Sequence, residues 1–392
     1  MGLTQGAGSP RAASPRPARR GWWLTPGAYA PVLAAPAVLA PRMVHARFGL
    51  LDDAVTLRAA QLVLAHPAVS LHAYESAGRF LPVYWLYWAL CYALGGYHPA
   101  VFYAANALLL ALTVAALIAL MRKFQATAAM TWAAALWFLF SAAATDAYGT
   151  LSKGEPLALL CMLGSLGMAW RASRAGGSAL YWLPAGALAL AAAGTRETAL
   201  ALAGIVAGWW LLSWWRGWGR PVLPARRALA IYLAVLTAGL APIFAARWIL
   251  RKPLAAGAYA AHYRLNWETL RESGLLWVHS LARNFPELLL LLAAGAVMAW
   301  RKQLRQGQLP AMMLVWMAMT AGILLPWPHT DAYYDLAFTA GSSVFCGVMT
   351  GELLRMARGG RTTRGKRAGR CGGRGRCWRR RRRWEGYWPP IT

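Results

Sequence analysis

From about residue 24 to residue 355 long apolar stretches alternate with short polar or basic joints, and the stretches have the length of a bilayer crossing. A helix needs about 20 mostly apolar residues to cross the hydrocarbon layer. On that measure spans are expected near 24–43, 99–121, 126–145, 155–171, 178–194, 198–215, 227–248, 284–300, 309–327 and 333–355. The segment 80–96, FLPVYWLYWALCYALGG, is also apolar, and a crossing there would reverse the orientation of everything after it.

Charge decides between the two counts. With 80–96 held on the outer side as a juxtamembrane or re-entrant helix, several basic groups share the side of the basic N-terminus. These are Arg122-Lys123, Arg171/Arg174, Arg216/Arg220/Arg226/Arg227, Arg301/Lys302/Arg305 and the Arg-rich C-terminal tail. With 80–96 crossing, all but the N-terminus move outside. Because Lys and Arg gather on the cytoplasmic face, the first arrangement is expected, with both termini cytoplasmic and Tyr84, Trp85, Tyr87 and Trp88 at the membrane interface. The expected fold class is an all-α integral membrane bundle of about 10 transmembrane helices with an outer juxtamembrane helical loop, set in a bacterial inner membrane. Residues 1–23 form a basic disordered leader, 24–355 the polytopic domain with its first outer loop at 44–98, and 356–392 an Arg-rich tail.

Composition agrees: 58% of the 392 residues are hydrophobic and only 13 are acidic. The net charge of +28 has the sign of a nucleic-acid binder, yet the basic residues stand between apolar stretches and in the tail, so no nucleic-acid partner is expected. Cys91, Cys161 and Cys346 lie in apolar segments and Cys371 and Cys377 in the tail, without disulfide or zinc-finger spacing. The histidines show no metal-binding spacing, and no phosphate-binding glycine loop or nucleophile elbow is present.

The acidic residues collect on one side: apart from Glu352 and Glu385, they fall at or beyond the outer membrane surface. Five outer joints therefore form the working face, carrying Asp52 and Asp53; Asp146, Tyr148, Lys153 and Glu155; Arg196-Glu197; Arg251 through Glu272; and His329, Asp331 and Asp335. The sharpest feature is the tandem pair Asp52-Asp53 at the outer end of the first span. A carboxylate at a membrane edge is costly unless paired, metal-bound or catalytic. There it is able to take the proton of an acceptor hydroxyl. Two in tandem divide the work as base and orienter, or hold a divalent cation between them. The plainer alternative is that the pair caps the helix beginning at Ala54. Outer-face cations run against the positive-inside rule, so Arg79, Lys153 and Arg196 are candidates to hold a carrier phosphate. Their plainer alternative is ion pairing with near neighbours: Arg196 with Glu197 and Lys153 with Glu155.

Four segments carry a family resemblance: FGLLDDAVTL (48–57), the block 78–124 beginning GRFLPVYW, TDAYGTLSKGEPLALL (145–160) and GTRETALAL (194–202). Over residues 25 to 350 the chain resembles the GT-C superfamily of polyprenyl-phosphate-sugar-dependent glycosyltransferases, near the protein-mannosyltransferase-like and aminoarabinose-transferase-like branch. The resemblance implies an inverting transfer from a polyprenyl-phosphate-linked sugar to an envelope glycan, lipid or protein. It implies Asp52 or Asp53 as the catalytic base and Arg79 near the carrier phosphate; Lys153, Arg196, Glu155 and Tyr148 are further expected contacts to the carrier phosphate or sugar. Arg79 departs from the family pattern, because Phe80-Leu81 separates it from Pro82. Beyond a divalent cation at Asp52/Asp53 no cofactor is implied, and membrane lipids are the remaining partners. A lipid-linked-saccharide flippase would show charges at mid-membrane and duplicated halves, which the sequence lacks. A non-catalytic assembly protein would tolerate loss of both aspartates.

Two readings compete for the tail from Arg358 onward: a polybasic anchor on anionic lipid, or a truncated or frame-shifted end without a selected role. Its Arg/Gly/Trp bias favours the second. Deletion of residues 359–392 is therefore expected to leave membrane insertion unchanged in a fractionation assay; loss of insertion would establish the anchor.

Overall fold

The computed structural model describes residues 29–49, 52–71, 81–172, 178–216, 266–301, 307–327 and 331–368, with a few isolated positions besides. Among the described residues every regular element is helical. The first four helices are α1 (Ala30–Val44), α2 (Asp52–Ala65), α3 (Pro82–Gly95) and α4 (Pro99–Lys123). Then come α5 (Ala128–Leu139), α6 (Ala142–Gly149), α7 (Glu155–Ala172), α8 (Trp182–Ala193) and α9 (Ala201–Trp215). The last are α10 (Trp267–Asn284), α11 (Pro286–Trp300), α12 (Gln308–Gly322) and α13 (Leu336–Ala368), with short 3-10 turns at Glu197–Leu200 and Ala332–Asp335.

Local signals set these boundaries. Proline opens α1, α3, α4 and α11, where its missing N–H costs nothing. Thr127, Ser141 and Asn266 accept the N–H three residues on and so cap α5, α6 and α10. The Ser141 cap also breaks the expected 126–145 span, bending α5 from α6 by 58°. Pro286, which cannot continue the helix before it, turns α10 from α11 by 91°.

Three helical stretches, Pro99–Lys123, Glu197–Trp215 and Ala332–Arg358, are long and apolar enough to cross a membrane, or up to five if each bent pair is one span. These three carry the expected spans at 99–121, 198–215 and 333–355, and the bent pairs carry 126–145 and 284–300. The spans expected at 24–43, 155–171, 178–194 and 309–327 correspond to helices of 15, 18, 12 and 15 residues. The span at 227–248 lies almost wholly outside the described residues, as do the leader at 1–23 and the tail beyond 368. The outward faces are apolar, with Leu33 at 81%, Leu183 at 71% and Leu290 at 72% exposed, a surface suited to lipid rather than to water.

Close helix contact is made through small residues. A side chain beginning at Gly347 would lie 2.6 Å from both the Ala134 backbone nitrogen and the Met130 carbonyl oxygen, and one at Gly351 would meet Met130. The pair at i and i+4 forms a notch on α13 that receives α5, the way small residues bring helix backbones together where apolar burial supplies no net drive. From Glu352 onward the chain forms a second unit, in which Arg355 donates to the Glu352 carboxylate through Nε and Nη2 at 2.9 and 2.6 Å.

In the segment expected to form the first outer loop, α2 lies along α3. At 14 residues α3 reaches about 21 Å, short of the ~30 Å hydrocarbon layer. Its aromatic residues differ from the expected interfacial placement. Trp85 and Trp88 are each 1% exposed, and Trp88 stacks on Phe102 of α4 at 5.6 Å. They are core because Leu57, Ala60 and Val63 of α2 and Phe102 of α4 cover the side a headgroup layer would have met. Val55, Leu62 and Leu64 remain on the opposite, exposed face of α2. Burial pushes the Cys91 thiol up to about 11, which keeps it protonated and inert.

The Gly347 notch yields a stability test. Gly347→Ala forces a Cβ onto backbone atoms that cannot rotate away, so a loss of about 1–3 kcal/mol is expected, read as a lowered Tm in detergent. An unchanged Tm would mean that α5 and α13 do not meet there.

Candidate functional site

Four joints converge at one end of the described helices: the approach to α2, residues 150–155, the turn at Gly194–Arg196, and the 3-10 turn before α13. The N-terminus of α3 pins two of them. Val83 and Tyr84 both donate their backbone N–H to the Gly194 carbonyl, at 3.0 and 3.4 Å. The Tyr84 hydroxyl donates to the Ser152 carbonyl at 3.0 Å. Ser152 sits in the left-handed region at φ 62, a conformation that costs a non-glycine residue energy and persists only where its surroundings enforce it. Gly154 lets the same joint approach the second one, since a side chain there would meet the Thr195 carbonyl at 3.1 Å and the Tyr84 ring at 3.2 Å.

That approach brings Glu155 to Arg196. Both side chains are buried, 6% and 10% exposed, and the guanidinium grips Oε1 of Glu155 through Nε and Nη2. Burial alone would drive the charge off Arg196, but the Glu155 carboxylate more than offsets it and holds the guanidinium firmly protonated. Arg196 also lies over the Tyr334 ring at 5.1 Å. The second oxygen of Glu155, Oε2, is buried without a hydrogen-bond partner among the described residues. Such a group is costly unless something else meets it.

The two aspartates have different environments. Asp53 is buried, with Oδ2 accepting from the Gly49 N–H and Oδ1 from the Ser152 hydroxyl, both at 2.6 Å. It reaches back to the preceding loop and across to residue 152, and does not cap a helix at Ala54; α2 already includes Asp52. The Asp52 carboxylate is 73% exposed and receives Nζ of Lys153 at 3.3 Å. Lys153, itself only 16% exposed, stands 4.1 Å above the centre of the Tyr333 ring. The Tyr333 hydroxyl donates to Asp331 at 3.2 Å and its backbone N–H to Asp146. Asp52 and Asp53 thus point to different partners, and among the described residues no group of three or more His, Cys, Asp or Glu is arranged to hold a metal ion.

The sequence-based candidates sort accordingly. Asp52, Asp53, Lys153, Glu155 and Arg196 come together through partners distant in the chain: Arg196 grips Glu155, with the Glu197 charge also acting on it, and Lys153 reaches Asp52. Tyr148 does not join them. It is fully buried and donates its hydroxyl to Thr113 at 2.9 Å, between α4 and α6, packing the bundle. Arg79 lies outside the described residues. Sequence reasoning missed Ser152, Tyr333 and Tyr334. Tyrosines at span ends read as interfacial anchors, and only their place between Asp331 and Asp335 signalled otherwise.

No protein-family model matches the chain, and no curated protein or solved structure matches it.

The buried pair makes a test. Arg196→Met leaves Glu155 buried without its countercharge, a loss of order 3–5 kcal/mol, whereas Glu155→Leu with Arg196→Met removes both charges and recovers most of it. Thermal unfolding of the two single variants and the double one in detergent checks this; purely additive losses would show the pair uncoupled.

Proposed function

We propose that the chain is a membrane glycosyltransferase of GT-C type. It would move a sugar from a polyprenyl-phosphate carrier to an envelope glycan, lipid or protein on the outer face of a bacterial inner membrane, with about ten spans and both termini cytoplasmic. The observation that carries the proposal is the Asp52–Lys153 pair: an exposed carboxylate held 3.3 Å from a largely sheltered ammonium, beside a second carboxylate that is buried and fully hydrogen-bonded.

In this reading Asp52 is the base and Asp53 a positioning residue that fixes the 150–153 joint. Lys153 has the reach to leave Asp52 for the carrier phosphate, so that donor binding frees the carboxylate when it is needed. The acceptor hydroxyl then attacks the anomeric carbon and its proton passes to Asp52. The carbon–oxygen bond to phosphate breaks, and polyprenyl phosphate leaves with the electron pair. The unpartnered Oε2 of Glu155 suits a sugar hydroxyl, and the faces of Tyr333 and Tyr334 suit the apolar side of a pyranose. Arg196, bound to Glu155, braces the site rather than holding the carrier.

The charges also favour a transferase over a lipid-linked-saccharide transporter. Asp53 lies in the first turn of α2, Glu155 opens α7, Arg196 precedes a helix and Asp335 ends a 3-10 turn, all at helix ends; Glu352, buried further along α13, is taken up by Arg355. A transport route would place them midway.

Sugar transfer from radiolabelled polyprenyl-phosphate sugars, in membranes expressing each variant, tests the proposal. Asp52→Asn is expected to fold and lose about 10²–10⁴-fold in turnover. Lys153→Met is expected to weaken donor binding. Transfer by a folded Asp52→Asn at the wild-type rate would rule out Asp52 as the base.

A further inference from the structure

A cavity of about 470 Å3 opens between α5, α11 and α13, with Ala142 of α6 on its wall. That is within the ~300–1,000 Å3 typical of small-molecule sites. None of its lining residues belongs to the Asp52–Lys153 or Glu155–Arg196 pairs. Nothing in the proposed transfer uses it.

Its walls carry three kinds of chemistry. Trp137, Phe140 and Leu288 supply an apolar surface suited to hydrocarbon. Thr339 and Ser343 place hydroxyls on the α13 side, both residues at most 3% exposed. The Thr339 hydroxyl has no hydrogen-bond partner among the described residues, a cost that a polar ligand atom would relieve. Glu287, in the first turn of α11, is the one charged residue on the lining among the described residues, within electrostatic reach of Cys346 across the cavity. A carboxylate beside apolar walls selects a cation and repels phosphate. In a chain of net charge +28, an acid alone on an apolar wall is contrary to the general trend.

We infer that this cavity binds an amine-headed membrane lipid, its hydrocarbon along Trp137, Phe140 and Leu288, its ammonium on Glu287, and a glycerol-ester oxygen on the Thr339 hydroxyl. A polyprenyl-phosphate donor whose sugar has no amine does not suit it, because it brings an anion and no cation to meet Glu287. The inference therefore stands whether or not the chain transfers sugar.

Native mass spectrometry of the full chain, released from liposomes, reads this directly. The probes are phosphatidylethanolamine and N-acetyl-phosphatidylethanolamine, which keeps tails and phosphate but loses the cation. Wild type is expected to retain the first over the second by about tenfold, as a charge-assisted contact predicts. Glu287→Gln is expected to abolish that preference, and Thr339→Val to lower retention of both lipids about equally. Equal retention of the two by wild type, or an unchanged preference in folded Glu287→Gln, overturns the proposal. Should Glu287→Gln fail to fold, the wild-type comparison and Thr339→Val decide, and undiminished retention by Thr339→Val counts against the site.

Discussion

The candidate site depends on the ion pair between Glu155 and Arg196. Two opposite charges taken out of water cost several kcal/mol each and persist only when they meet in good geometry. Here that requirement fixes where α7 begins relative to the turn that follows α8, because the pair closes only if Gly154 lies against Thr195. With that distance set, Ser152 and Lys153, just before Glu155, are carried to the start of α2, and the Tyr334 ring closes over the guanidinium. Removing the pair would leave the joints held by the α3 amides on Gly194 and by Ser152 on Asp53, without the charge that draws α7 to the turn after α8.

Asp52 and Asp53 are adjacent in the chain and equivalent by type, yet they divide cleanly. The difference follows from helical geometry: neighbours on a helix point about 100° apart, so one side chain faces the 150–153 joint and the other faces out. Asp53 spends both oxygens on local donors, and Asp52 has a single, exchangeable partner. A tandem acidic motif at the mouth of a membrane protein is thus better understood as one structural and one available carboxylate than as two equivalent ones.

Much of this could be seen in the residues alone. The helices, their proline and hydroxyl starts, and the gathering of the acidic joints follow from local rules, and 80–96 forms a helix of 14 residues. What was not legible depended on distance in the chain. Arg196 lies 41 residues from Glu155, and nothing in the spacing favours that acid over adjacent Glu197. Tyr148 stands among the site residues in sequence but turns inward, since which face of a short apolar helix is buried depends on neighbours contributed by other segments. Trp85 and Trp88 likewise read as membrane anchors until α2 is seen to cover them. The 58° break between α5 and α6 rests on one serine cap inside an otherwise continuous apolar run.

The docking of α3 on the Gly194 carbonyl also orders events during synthesis. The amides of Val83 and Tyr84 are made more than a hundred residues before their acceptor, and at ~5–20 residues per second the wait is on the order of ten seconds. Throughout that interval α3 is an apolar, aromatic-rich segment with its first N–H groups unclaimed, free to enter the bilayer in the wrong sense. The N–H groups at a helix start are a polar load that a bilayer resists, so the unpaired end itself helps keep the segment at the surface until α8 arrives. The late contact would then act as a latch on the α2–α3 pair, closing only once the chain through α8 has been made.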